Sequence, residues 1–362
     1  MVSRVRPRVP RTRPTVSVVI PCYNYGHFLP ECVRTVLEQD GVDVDVLIVD
    51  DCSPDGSAAV ARRLAEADAR VRLVAHETNR GHIATYNEGL STVDGEFVVL
   101  LSADDLLAPG SLARATALMR EHPDIGLVYG FSPGFVGEPP PARTSASSWS
   151  IWPGHEWIEQ MCRRMVNPVN TPDVVMRTAL MHELVGYDVR VPHAADLLLW
   201  LRAAARGPIG RVNGADQAFY RKHGANMHVE RFAGVHTDLI ERRRTFEILF
   251  SDDRTHLPGA DRLHDLARRA MAREAIVTVC QAYRLGRESE PAEPLVAFAE
   301  EIYPAIRDTR LWRTHERYLT RAKNGRGPAV PPRMSRLVDN ARGRVRWRRW
   351  RRTGLMGAVG SL

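Results

Sequence analysis

Two carboxylates stand side by side, Asp104-Asp105, just past the apolar run Phe97 to Leu101. Adjacent acids at the end of a strand suit a hard divalent cation such as Mg²⁺ or Mn²⁺, and Mg²⁺ takes only one or two carboxylates plus substrate phosphates. A nucleotide diphosphate would complete such a shell. A second apolar run closes on Asp50-Asp51, where Asp51 can accept the imino N–H of a pyrimidine base and Tyr23 can lie against the ring. A further acid, Asp196, opens a helical stretch through Arg206 and suits a general base, its blander use being a cap of that helix. An Asp after one strand is most often a cap; several such ends on one rim ask for a ligand.

The elements that must hold these groups are legible in residues 15 to 130. Short β-branched runs, Val16 to Ile20, Val44 to Val49, Val71 to Ala75, Phe97 to Leu101 and Gly126 to Tyr129, read as strands covered on both faces. Between the first two, Phe28, Leu29, Cys32, Val33, Val36 and Leu37 form a helical stripe with Pro30 in its first turn. Between the second and third, the turn Ser53 to Gly56 opens an Ala-rich helix through about Ala67. Strand alternating with helix predicts a mostly parallel α/β sheet, in which ligands gather outside the carboxyl ends of the strands. Those ends carry Pro21-Cys22-Tyr23-Asn24, Asp50-Asp51, His76 to Gly81, and Ser102-Ala103-Asp104-Asp105.

Beyond this half the signals thin out. Residues 131 to 155, rich in Pro, Ser and Gly, read as a loop, and Thr171 to Arg177 as one more strand. Residues 236 to 322 are helical by pattern, with apolar positions such as Leu239, Phe246, Leu249, Ile276 and Phe298 set to pack on the core or on a second copy. Trp149, Trp152 and Trp157 are better read as packing than as a sugar platform.

In order along the chain, Val16-Ser-Val-Val-Ile-Pro-Cys-Tyr-Asn24, Ile48-Val-Asp-Asp-Cys-Ser-Pro-Asp-Gly-Ser57, Asn79-Arg-Gly81 with Asn87-Glu-Gly-Leu90, and Gly95 to Leu107 resemble the donor half of family 2 glycosyltransferases with the GT-A fold. The resemblance continues more weakly through Gly186-Tyr187, Asp196 to Arg202 and Phe219 to Asn226, and ends near residue 235. It implies a GT-A type, mostly parallel (mixed) sheet flanked by helices, with a helical C-terminal extension. The implied organisation is a basic arm over 1–14, a catalytic domain over 15–235 (donor half 15–130, acceptor half 131–235), a helical extension over 236–330 and an Arg/Trp tail over 331–362.

The resemblance also implies roles. Pro21 and Tyr23 would border the base, Asp51 would hydrogen-bond it, Arg80 would lie near base or diphosphate, Asp104 would touch the ribose, and Asn24 and Asn79 would also bind the donor. Asp105 would bind Mg²⁺ or Mn²⁺, with His223 reaching the metal or diphosphate, and Asp196 would be the base of an inverting transfer. The implied substrates are a nucleotide diphosphate sugar, UDP- or dTDP-linked by preference, and a glycan, lipid-linked or secondary-metabolite hydroxyl. Ser102 stands where many members have the first Asp of an Asp-X-Asp, and Ala195 precedes Asp196 where an acid is common.

Composition bounds the remaining readings. The chain has 362 residues and a formal charge of +7, with 44% hydrophobic and 26% charged residues, ordinary for a soluble protein. No apolar run approaches the ~18 to 20 residues that would span a bilayer. The five Arg of residues 1 to 14 contribute +5, residues 333 to 352 contribute +8, and the rest of the chain is left at −6. An acidic body argues against nucleic-acid binding, which needs a basic stripe on the folded face. Lys222 and Lys323 are the only lysines, so the arginines partly reflect the coding bias of a GC-rich bacterium. Five Cys without a CxxC pair, and prolines breaking the N-terminal stretch, fit a reducing cytoplasm and no secretory signal. Arg342 to Arg352 with Trp347 and Trp350 would suit an anionic membrane surface, so peripheral contact through 333–362 is weighed against a solvated tail. A sugar nucleotidyltransferase would carry a Gly-rich basic loop after its first strand, which Pro21 to Asn24 is not, and a catalytically silent scaffold would have no need of Asp51, Asp104, Asp105 and Asp196 together.

Overall fold

Unbroken β-branched runs are stable where both strand faces are covered, and in the computed structural model of the chain such runs lie in one sheet. The structure describes residues 2–7, 13–165, 167–224, 226, 234–252, 255, 257–285, 292–324, 341, 343–345 and 348. Its strands are β1 (Ser3–Val5), β2 (Thr15–Cys22), β3 (Asp43–Asp50), β4 (Val71–Ala75), β5 (Phe97–Leu100), β6 (Leu106–Leu107), β7 (Leu127–Tyr129), β8 (Gly134–Phe135), β9 (Ser148–Trp152), β10 (Val175–Arg177), β11 (Ile209–Asn213) and β12 (Ala218–Arg221). Among the described residues nine of them form a sheet in the order β1-β9-β11-β7-β10-β5-β2-β3-β4, and β6, β12 and β8 form a smaller one.

The strands of residues 15–100 form the parallel part. β2 pairs in parallel with β3 and β5, and β3 with β4, so four carboxyl ends share one edge. Val16, Val18, Ile20, Val46 and Ile48 are wholly buried there. Helices α1 (Leu29–Leu37), α2 (Ser57–Ala67) and α3 (His82–Ser91) connect these strands. α3 lies so close to the sheet that a Cβ at Gly89 would overlap Val19 Cγ1, so glycine is required there.

Beyond helix α4 (Ser111–Glu121) the sheet becomes mixed. β10 enters antiparallel between β5 and β7, and β11 lies parallel to β7. The expected strand Thr171 to Arg177 is a turn of 3₁₀ helix, Thr171–Asp173, followed by β10. The expected loop over 131 to 155 is corrected: it contains β8 and β9, and β9 pairs antiparallel with β11 along its whole length. Turn-forming composition around a short strand hides it when its partner is some sixty residues away. Trp149 and Trp152 on β9 and Trp157 on α5 (Gly154–Arg164) are buried, as packing requires. Part of the basic arm also joins the sheet, since Ser3–Val5 pairs with β9 as an edge strand. Helices α6 (Thr178–Glu183) and α7 (Ala195–Arg206) complete this part.

The chain divides into two units, Met1–Trp157 with Val169–Asn226, and Ile158–Pro168 with Met227–Leu362. The second is built from α8 (Val235–Ser251), α9 (Ala260–Leu285), α10 (Ala292–Ile302) and α11 (Arg310–Lys323). Within it the buried Arg242 pairs with Glu274 at 2.9 Å and Asp238 at 2.5 Å and donates to the Met165 carbonyl at 2.8 Å. The Arg/Trp tail lies almost wholly outside the described residues, and with it the expectation of membrane contact through 333–362. Among the described residues no helix is long and apolar enough to cross a membrane.

Candidate active site

Each parallel strand delivers its polar group where the chain must turn. After β2 the backbone at Asn24 adopts φ 61°, its N–H donating to Ser53 Oγ at 3.0 Å, while Tyr23 stays 41% exposed with its ring open to a ligand. Pro21 sits in the last pairs of β2, opposite Val49. After β3, Asp51 is buried and its carboxylate accepts from the Arg80 N–H (2.7 Å), the Gly81 N–H (2.9 Å) and His76 Nδ1 (2.7 Å). Burial works against its charge, but these donors outweigh it and hold the carboxyl below its ordinary range. Asn79 joins them, its amide donating to the Asp51 carbonyl at 3.1 Å.

The second cluster forms after β5. Asp104 Oδ2 lies 3.0 Å from His223 Nε2 and 3.3 Å from Asn226 Nδ2, and Asp105 Oδ1 accepts the Arg221 N–H at 2.9 Å. Arg221 then holds the pair from the other side. Its guanidinium donates to the Asp104 carbonyl (2.8 Å), the Gly137 carbonyl (3.2 Å) and Glu31 (2.6 Å), with the rings of Phe28 and Phe135 at 4.8 and 4.6 Å. A planar cation forked between three oxygens and flanked by two π faces is a rigid strut that Lys does not replace. The turn after β2 reaches this cluster too, Tyr25 meeting the His223 ring edge-on at 5.4 Å.

Burial, followed by the charge of Asp104, pushes Asp105 well above the ordinary carboxylate range, although the Arg221 N–H opposes the shift. Two acids so placed favour a cation between them and the substrate. Among the described residues no three His, Cys, Asp or Glu side chains are arranged to hold a metal by themselves. That sparse set fits Mg²⁺ or Mn²⁺ completing its shell with waters and phosphate oxygens.

Asp196 lies in the first turn of α7, where its Oδ1 accepts the Leu197 N–H at 2.6 Å, and Ala194 is the residue at the cap position. On α3, burial and then the charges of Asp104 and Asp196 push the Tyr86 hydroxyl up. A column of rings supports it, His82 to Tyr86 at 5.5 Å, Tyr86 to Tyr187 at 5.4 Å and Tyr187 to Trp200 at 6.3 Å.

The structure therefore gathers Asp51, Asn79 and Arg80 in one cluster and Asp104, Asp105 and His223 in another, while Asp196 stands in the first turn of α7. The Arg80 backbone serves Asp51 and its half-exposed guanidinium pairs with Glu88. His76, Glu88, Tyr86, Arg221 and Asn226 join the site without a role of their own having been expected. His76 carried a usable signal, since it follows β4 directly at the same rim. Arg221 and Asn226 lie within the Phe219 to Asn226 segment and Glu88 within Asn87-Glu-Gly-Leu90, whereas Tyr86 is an ordinary helix position without a sequence mark.

Comparison with known proteins agrees with this geometry. Residues 17–180 match the family model for glycosyl transferase family 2. The succinoglycan biosynthesis protein ExoO of Rhizobium meliloti is 36% identical over 101 residues, 28% of each chain, so the chain spans less than a third of that relative. Among solved structures, S. aureus TarS 1-349 in complex with UDP-GlcNAc superimposes with a TM-score of 0.60 at 16% identity, covering 86% of this chain and 92% of that one. The mannosyltransferase PcManGT from Pyrobaculum calidifontis, in complex with GDP-Man and Mn²⁺, gives 0.54 at 21% identity, covering 88% and 89%. The matched stretch holds the four parallel strand ends that carry the polar rim, so residues 17–180 are similar to glycosyl transferase family 2, and the fold is the GT-A fold of these solved neighbours.

Proposed function

We propose that the chain transfers a sugar from a nucleotide diphosphate sugar to a hydroxyl of a glycan, lipid-linked or secondary-metabolite acceptor, with inversion at the anomeric carbon. The observation that carries this reading is the acid pair after β5, where Asp104 meets His223 and Asn226 and Asp105 accepts the Arg221 N–H. Such a pair, with a separate carboxylate in the first turn of α7, suits an in-line displacement. The acceptor oxygen attacks the anomeric carbon, the bond to the diphosphate oxygen breaks with its electron pair, and the acceptor proton passes to Asp196. No covalent enzyme intermediate is needed, and much of the rate would come from holding donor and acceptor in line.

Tyr23, Pro21 and Asn24 would border the base, Asp51 would accept its ring N–H with Asn79 and Arg80 framing that contact, and Asp104 would meet the ribose. Asp105, with Asp104 and His223 beside it, would hold a divalent cation, which when bound supplies neutralising charge to the leaving diphosphate. Support comes from the neighbours solved with UDP-GlcNAc and with GDP-Man and Mn²⁺, and from a relative named for polysaccharide biosynthesis. Incubation with UDP-, dTDP- and GDP-sugars plus Mn²⁺, followed by NMR of the product anomer, tests the reading. Inverted product supports it; retained configuration overturns the single-displacement mechanism. Peripheral membrane contact through 333–362 is part of the same proposal, and equal binding of full-length and truncated chains to anionic vesicles would remove it.

A further inference from the structure

Three donors converge on the Asp51 carboxylate, and two of them are backbone N–H groups, those of Arg80 and Gly81. Among the described residues His76 is the only side chain that donates to it. The imidazole comes from the end of β4 and Asp51 from the end of β3, so the contact braces the carboxylate across two strands. Asp51 is held ionised and can only accept, so the proton of this bond sits on Nδ1. The other nitrogen, Nε2, is buried without a well-directed hydrogen bond and lies 3.2 Å from Glu88 Oε2. Glu88 in turn holds the Arg80 guanidinium, so β3, β4 and α3 are tied around one ring.

The count of lone pairs gives this ring a purpose. A carboxylate offers about four acceptor sites, two on each oxygen. Oδ1 is occupied by both His76 and Arg80, while Oδ2 takes Gly81 alone and keeps one site open. A carboxylate fixed in this way presents its open site in one direction. Released from His76, it could turn about its terminal torsion, which is broad for Asp, and accept from an exocyclic amino group as readily as from a ring N–H.

We infer that His76 is a positioning residue for nucleobase selection, locking Asp51 so that its open Oδ2 site favours bases bearing a ring N–H (uracil, thymine, guanine) over cytosine and adenine. The inference rests on the proposed reading of Asp51 as the base-recognising group. It is tested by calorimetric binding of UDP, GDP, CDP and ADP, each with Mn²⁺, to the wild type, His76→Asn and His76→Leu. The wild type is expected to bind UDP or GDP at least ~10-fold more tightly than CDP and ADP, the scale of a hydrogen bond to a charged group. His76→Asn, whose amide reaches Asp51 in place of Nδ1, keeps that ratio, and His76→Leu brings it to within about twofold, as expected when one such hydrogen bond is lost. A Leu variant that keeps the full ratio overturns the inference while leaving the Asp51 reading intact. A wild type with no preference overturns the Asp51 reading itself and the inference with it. Should the Leu variant not fold, His76→Gln, whose longer amide extends past Asp51, makes the same test.

Discussion

Asn87 and Tyr187 hold each other from both directions: Asn87 Nδ2 donates to the Tyr187 carbonyl at 2.8 Å, and the Tyr187 N–H donates to Asn87 Oδ1 at 2.7 Å. The clamp joins α3 to the segment that leads into α7, where Asp196 sits. Gly186 makes it possible, since its φ of +72° suits glycine and a Cβ there would overlap Asn87 Oδ1. Asn87→Ala should cost about 2 kcal/mol through two lost hydrogen bonds and lower Tm by roughly 4–8 °C. Because the clamp positions Asp196, transfer should fall more than nucleotide affinity; a proportional fall in both would place its effect on folding alone.

Asp196→Asn keeps an acceptor for the Leu197 N–H and so preserves the first turn of α7. Without a base the transfer rate should drop by about 10²–10⁴, the usual range for general base catalysis, with nucleotide binding unchanged by calorimetry. An undiminished rate would remove Asp196 from the mechanism.

Asp105→Asn still accepts from the Arg221 backbone, so the strand end should hold its shape. The variant should lose the extra thermal stabilisation that Mn²⁺ adds to bound nucleotide diphosphate, and EDTA should do the same to the wild type. Thermal-shift titration with nucleotide alone and with nucleotide plus metal separates the two contributions.

Asp188 pairs with Arg190 at 2.7 Å and with Arg202 at 3.1 Å. The Arg190 hydrogen bond leads in lowering its carboxyl from 3.8 to about 2. A folded-state value below the unfolded one gives stability that is present above about 3.8 and lost as pH falls toward 2. Arg190 is exposed, so the contribution is discounted to about 1 kcal/mol. Asp188→Asn should lower Tm by roughly 2–4 °C at pH 7, and the difference should shrink below about pH 3.8 and close as pH falls through about 2.

Asp173 behaves in the opposite sense. Burial raises its carboxyl to about 7, against the donors Gly130 N–H and Ser132 Oγ and the charge of Arg211. The native state then binds a proton that the unfolded chain has released, so this group destabilises the fold progressively as pH rises from about 4 to 7. Asp173→Asn should flatten the Tm profile over that interval and raise Tm at pH 8; an unchanged profile would show that the proton is not held in the fold.

The parallel part of the protein is written in local patterns. Continuous β-branched runs and an i, i+4 apolar stripe mark its strands and first helix, and the ends of parallel strands are adjacent by topology, so pattern alone puts Asp51 and Asp104-Asp105 on one rim. What each of these groups touches is a property of the tertiary fold. His223 meets Asp104 across 119 residues, β10 slips antiparallel between β5 and β7, and β9 emerges from a stretch whose prolines and serines read as loop. His76 reaches Asp51 only because β3 and β4 are neighbours, and the Arg80 guanidinium meets Glu88 because α3 lies beside that turn. These pairings depend on which distant segments can bury one another's apolar faces and satisfy one another's hydrogen bonds, and no local periodicity carries that information.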